Sequence, residues 1–175
     1  MKTQLTLIAA VSADGFISRG SGVPWKLPID QHHFRSYTQD RWLLIGRKTY
    51  QEMEGWFRPS HHPLVLSQND NFHPHPGRTV STVEQAIQLA EEAGEPELVC
   101  CGGGLVYQSS MSLADRLIIT HVDDYLTEGV RFPAIDSPFW KPLHQQSYPA
   151  DQNHPYSFTI VHYEPMKSSG SRYSL

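Results

Sequence analysis

The residues best suited to chemistry gather around one acid. Gly22-Val-Pro-Trp-Lys-Leu-Pro-Ile-Asp30 is followed, four residues after the acid, by Phe34. In a helix that spacing puts acid and aromatic on one face, about a turn apart. Pro28 stands where a helix begins, so Asp30 falls in its first turn. Val23, Trp25, Leu27 and Ile29 make the surroundings apolar. A carboxylate there is costly unless a cation or hydrogen-bond donors satisfy it, which suits recognition of a polar ligand edge in an apolar slot. The plainer alternative is an acid that caps its helix and faces water, as first turns favour.

Two further segments suit anions. Gly102-Gly-Gly104 lies between an apolar run, Leu98 to Cys101, and a helical pattern from Leu105. Glycines there let the backbone approach a ligand, and a helix start offers free N–H groups to phosphate. A tight strand-to-helix turn explains the same residues. Leu44-Ile-Gly-Arg-Lys-Thr-Tyr50 repeats the plan with two cations and a hydroxyl. Arg47 and Lys48 can hold anionic oxygens, Arg in a forked geometry, or they are solvated surface cations. Two such segments in one small chain suggest a dinucleotide with two separated anionic parts.

The elements that must position these residues are legible as patterns. Gln4 to Val11, Trp42 to Ile45, Pro63 to Leu66, Leu98 to Cys101 and Leu117 to His121 read as mostly buried strands. Ser81-Thr-Val-Glu84 reads as a capping box opening a helix with the stripe Val83, Ile87 and Ala90 and a stop at Gly94. Lys141 to Tyr148 and Tyr156 to Tyr163 read as two long strands around the turn Asp151-Gln-Asn-His-Pro155. The alternation implies an α/β fold: a mainly parallel central sheet, helices on both faces, and a C-terminal antiparallel hairpin at one edge. In such sheets ligands sit beyond the carboxyl ends of the strands. One domain is expected over 1–166, with the polar, small-residue stretch Lys167 to Leu175 as a flexible tail.

Composition narrows the function. The 175 residues carry a formal net charge of −4 with no basic run, so nucleic acid is not an expected partner. No apolar stretch approaches the ~20 residues that cross a bilayer, and the apolar start MKTQLTLIAA is too brief and interrupted for a signal sequence. The two cysteines, Cys100 and Cys101, are adjacent. Neighbouring Cα atoms lie about 3.8 Å apart, too close for an ordinary disulfide, so a reduced, cytoplasmic setting is expected. Ten histidines show neither paired Cys/His spacing nor an HExxH pattern, and no metal is expected.

Taken in order, Leu7-Ile-Ala-Ala10, Asp14-Gly, Val23-Pro-Trp-Lys-Leu-Pro-Ile-Asp30, Gly46-Arg-Lys-Thr49, Leu64-Val-Leu-Ser67, Gly102-Gly-Gly104 with Val106-Tyr107, Ala114-Asp-Arg-Leu117, Thr120-His121 and Phe132-Pro133 resemble the dihydrofolate reductase family along nearly the whole chain. The resemblance implies NADPH-dependent reduction of 7,8-dihydrofolate to tetrahydrofolate. Asp30 then looks like the acid that accepts two hydrogen bonds from the pterin, with Thr120 supporting it and Trp25 holding a nearby water. Ile8, Leu27, Phe34 and Met53 would form the apolar slot, while Ile8 and Cys101 offer backbone carbonyls. Arg47, Lys48 and Thr49 would meet NADPH phosphate, and Leu66, Ser67 and Gln68 would edge its adenosine. Gly103, Gly104, Leu105 and Val106 would cradle the pyrophosphate, with Ala10, Ile17, Gly102 and Tyr107 completing the cofactor side. The family pattern also implies a cis Gly102–Gly103 peptide, a mobile lid over Ser12 to Val23, and a monomer, with a dimer as the alternative.

Three positions depart from the family pattern. His61 stands where an arginine grips the folate carboxylate, and Arg58 is its nearest substitute. Leu105 replaces a second arginine near the adenosine phosphate, and Gly129 replaces an acid that stabilises the closed lid, with Glu128 beside it. Two other readings compete. One is a pyrimidine reductase of riboflavin synthesis, whose flavour Ser12-Ala-Asp-Gly15 carries. The other is a non-catalytic nucleotide-binding relative, which would have lost the buried acid.

Overall fold

The computed structural model describes residues 1–166; the tail expected at Lys167 to Leu175 lies outside them. In chain order the elements are β1 (Gln4–Ser12), β2 (Phe16–Ser18), α1 (Pro28–Thr38), β3 (Trp42–Gly46), α2 (Arg47–Glu52), β4 (His62–Leu66), β5 (Arg78–Val80), α3 (Val83–Glu92), β6 (Glu97–Cys100), α4 (Gly104–Ser110), β7 (Arg116–Val122), β8 (Val130–Arg131), β9 (Trp140–Tyr148) and β10 (Phe158–Pro165). Eight strands form one sheet in the order β5-β4-β3-β6-β1-β7-β10-β9. It is parallel from β5 to β7, and β10 and β9 close it antiparallel. This is the expected three-layer architecture.

Period-two alternation sorts the strand side chains between two cores. Leu5, Leu7 and Val11 of β1, Leu44 of β3, and Leu117 and Ile119 of β7 face the side covered by α3 and α4. Ile8, Leu43, Ile45, Ile118 and Val122 face the other, where Phe34 and Tyr37 of α1 and Tyr50 of α2 pack. Thr120 falls in the second register, opposite Ala10 of β1 and Ile160 of β10, and so points under α1.

The far end of α1 is anchored by a buried acid. Glu97, 8 % exposed, accepts from Thr6 Oγ1, Tyr37 Oη and Arg41 Nη1, each at 2.5 Å. Arg41 also donates through Nε to the Tyr37 carbonyl at 2.7 Å. A buried carboxylate with three donors is satisfied, and removing one of them would leave it costly.

One local reading shifts. The α3 cap is Thr82 rather than Ser81: its hydroxyl accepts from the Gln85 N–H at 3.0 Å, while Gln85 Oε1 accepts from the Ser81 N–H, one residue before the cap, at 2.8 Å. Gln85 thus takes the place expected of Glu84. Gly94 ends the helix as expected, at φ +76, with the Glu95 N–H bonded back to the Ala90 carbonyl.

Candidate active site

Ala10, Gly46, Leu66, Cys101 and Thr120 lie within two residues of the carboxyl ends of parallel strands β1, β3, β4, β6 and β7. There Thr120 Oγ1 donates to Asp30 Oδ1 at 2.5 Å, joining strand to helix across 90 residues of chain. Asp30 is half-buried. Desolvation pushes its carboxyl above the ordinary 3.8, while the Thr120 hydrogen bond and the charge of His33 pull against that rise. The acid thus faces the sheet rather than open water, against the capping alternative.

Around it stand Ile8 (4 % exposed) and Leu27 (1 %), with Phe34, Met53 and Trp56 packed against the same cluster. The Ile8 carbonyl accepts the Tyr107 hydroxyl at 2.6 Å, leaving its second lone pair for a ligand. Burial pushes the Cys100 thiol up to about 11, and the Cys101 thiol well above its ordinary value. What Cys101 offers a ligand is therefore its backbone.

The Trp25 indole N–H, the one donor of that side chain, donates to Asp124 Oδ2 at 3.0 Å. The His61 ring is packed away. Only 6 % exposed, it stacks on Trp56 with ring centroids 4.8 Å apart and accepts the Arg58 N–H on Nδ1 at 2.8 Å. Burial lowers its basicity, so it is a neutral core ring rather than a carboxylate clamp. Arg58 itself is exposed.

The two glycine segments meet. The Gly46 N–H donates to the Gly102 carbonyl at 2.6 Å, and a methyl on Gly103 would stand 2.9 Å from Thr49 Oγ1. The Gly102–Gly103 peptide is cis. Arg47 and Lys48 are exposed beside this seam, Leu105 is 80 % exposed, and Val106 and Tyr107 are buried under it. Gln68 Nε2 donates to the Ser81 carbonyl, and Ser67 Oγ accepts the Asn69 N–H. Bare backbone, two exposed cations and a hydroxyl fit a dinucleotide carrying a diphosphate and a further phosphate.

The segment after β1 is tied down by an acid of its own. Asp14 accepts N–H groups from Thr127 at 2.8 Å and Leu126 at 3.1 Å, as well as the Ser12 hydroxyl at 2.6 Å. These bonds, Ser12 foremost, hold its carboxyl below the ordinary value. A methyl on Gly129 would lie 2.0 Å from the Ser18 carbonyl oxygen, so no side chain fits there while β2 and β8 pair. The acid that ties this segment to Leu126 and Thr127 is Asp14 rather than Glu128. Beyond the β2–β8 pair, Lys48 Nζ reaches the Gly20 carbonyl at 3.0 Å. Asp14→Ala is expected to release the lid, lowering turnover about tenfold and speeding proteolysis within 12–23. Unchanged cleavage and turnover would show that these bonds do not hold it.

Sequence reasoning missed His33, although its i,i+3 spacing from Asp30 was a usable signal. Its Nε2 is buried and has no hydrogen-bond partner among the described residues. A cavity of about 150 Å³ opens between His33, His144, Gln146, Tyr148, Ile160 and His162. Desolvation lowers the basicity of His33 against the pull of Asp30.

Comparison with known proteins gives one consistent result. A family model described as dihydrofolate reductase matches residues 4–165. A dihydrofolate reductase of Neisseria meningitidis is 32% identical over 160 residues, covering 91% of this chain and 97% of that protein. The type 3 dihydrofolate reductase of Salmonella typhimurium is 29% identical over 157 residues, covering 90% and 95%. The solved dihydrofolate reductase of Enterococcus faecalis, complexed with NADP(H) and RAB-propyl, has a TM-score of 0.84 at 24% identity, covering 94% of this chain and 99% of that one.

Proposed function

The chain belongs to the dihydrofolate reductase family, and we propose that Asp30 is the acid by which it grips the pterin of its substrate. It is an NADPH-dependent oxidoreductase acting on dihydrofolate. The Thr120–Asp30 bond carries the assignment of the acid, because it fixes a carboxylate against an apolar wall at the strand ends.

When bound, NADPH supplies the hydride, with Arg47, Lys48, Thr49 and the backbone of Gly102 to Val106 holding its anionic parts. This chain's own residues do the rest. Asp30 accepts N–H bonds from the pterin amino group and ring nitrogen, and Ile8, Leu27, Phe34 and Met53 hold the ring flat and exclude water. Reduction of the pterin C=N bond needs a proton on its nitrogen, and no side chain reaches that atom in this reading. The fixed charge of Asp30 favours the developing cation, and water admitted at the lid delivers the proton. The two buried free thiols support a reducing, cytoplasmic setting.

The direct test is dihydrofolate-dependent oxidation of NADPH, run beside a ribosylated diaminopyrimidinone. Turnover of the second alone would move the protein to pyrimidine reduction. For the substrate's glutamate tail, Arg58 is the available cation. Arg58→Ala is expected to raise the KM for dihydrofolate about tenfold while leaving that for a tail-less pterin unchanged. Equal effects on both would mean that Arg58 grips no tail.

A further inference from the structure

We propose that His154, in the turn between β9 and β10, is a positioning residue for Asp30: it seats the first turn of α1 on the sheet. The helix begins without a cap of its own, since Leu27 at the N-cap has no side-chain acceptor and Pro28 has no N–H. Its first donor is the N–H of Ile29, the residue before Asp30. That N–H donates to His154 Nε2 at 3.2 Å, across 125 residues of chain.

The imidazole is prepared for this task. It is 4 % exposed and lies against Phe158, with ring centroids 5.6 Å apart. Its Nδ1 sits 2.9 Å from Asp151 Oδ1, and the same oxygen accepts the N–H groups of Asn153 and His154 at 2.8 Å. Because Nε2 accepts, the ring proton belongs on Nδ1, donated to Asp151. The turn therefore folds around Asp151, Asp151 sets the tautomer, and the free nitrogen lone pair faces the helix.

The Glu97 cluster holds the other end of α1 through Tyr37 and Arg41. With both ends fixed, the Asp30 carboxylate meets Thr120 without the fraying that uncapped first turns undergo. Displacing a positioned group by 1 Å can cost about a hundredfold in rate, so a modest loosening here reaches the chemistry. The inference rests on the proposed role of Asp30.

The experiment compares His154→Phe, which keeps a ring but removes the acceptor, with His154→Gln, whose Oε1 can replace Nε2. Dihydrofolate KM, kcat, NADPH affinity and the acid limb of the pH–rate profile are measured below the melting temperature of each variant. The Phe variant is expected to lose about tenfold in kcat, to raise the dihydrofolate KM and to move the acid limb, with NADPH affinity within twofold of the parent. The Gln variant is expected to recover most of that loss. Should the Phe variant fail to fold, Asp151→Ala, which frees the ring, is expected to give a few-fold loss of the same kind. Parental kinetics in the Phe variant, or in Asp151→Ala where that stands in for it, would overturn the proposal. So would a Gln variant as impaired as Phe, or equal losses of NADPH and dihydrofolate affinity. An active Asp30→Asn protein would instead overturn the role of Asp30 itself.

Discussion

Asp30→Asn is expected to lower dihydrofolate turnover by about 10²–10³-fold at neutral pH while raising, not lowering, the melting temperature. The amide keeps an oxygen for the Thr120 hydroxyl, so the strand–helix bond survives. What it loses is the negative charge. The stability effect follows from the direction in which burial moves the carboxyl. Its folded value lies above 3.8, so the folded chain binds the proton more tightly than the unfolded one. Stability contributed by this group is then present at low pH and falls as pH rises through the window between 3.8 and the raised value. Asn carries no such penalty. Melting curves at about pH 7 and about pH 4 should show the variant's advantage at the higher pH and its disappearance at the lower one. In the parent, activity should fall on the acid side as Asp30 gains its proton, closer to neutrality than for an ordinary carboxyl. Near-normal rates from the amide variant, or a melting temperature that drops, would remove Asp30 from the centre of this mechanism.

The second large effect is expected at Gly102. Its φ of +99 is costly for any residue with a side chain, and a methyl there would lie 2.7 Å from Tyr107 Cε2 and 3.0 Å from its hydroxyl. The ring cannot retreat freely, because that hydroxyl is bonded to the Ile8 carbonyl on the neighbouring strand β1. Backbone strain of about 1–3 kcal/mol and overpacking of similar size combine in Gly102→Ala. We expect destabilisation of about 3 kcal/mol in urea melts, with NADPH affinity down at least tenfold by fluorescence titration. Gly94→Ala is the control, since its φ of +76 is also positive but the added methyl meets open space. Equal losses at the two positions would mean that the contact with Tyr107 costs nothing.

Much of this was legible in the sequence because the long strands announce themselves. β1, β3, β4, β6 and β7 are mainly apolar runs, and their boundaries shift by only a residue or two. β2, β5 and β8 were not legible: at two or three residues each, they carry no period and exist because neighbours pair with them. The position of Asp30 was readable from Pro28 and Phe34, and its partner Thr120 came from family resemblance rather than from any pattern. His61 and Trp25 show the opposite limit. Family resemblance alone gave them ligand-side roles, whereas stacking on Trp56 and the carboxylate of Asp124 decided where their nitrogens point. The role of Asp14 was missed for a related reason. A bond between Asp14 and two backbone N–H groups more than a hundred residues away leaves no local spacing to find.

Asp30 lies near the start of the chain, yet its hydroxyl donor follows 90 residues later and the cap of its helix 125 residues after Ile29. During synthesis on the ribosome the helix emerges long before either partner. A nascent chain halted ahead of the final hairpin would already hold Thr120 and Glu97, yet the first turn of the helix would lack its cap. Catalytic competence therefore arrives in a single late event, when β10 inserts between β7 and β9 and the earliest and latest parts of the polypeptide first touch.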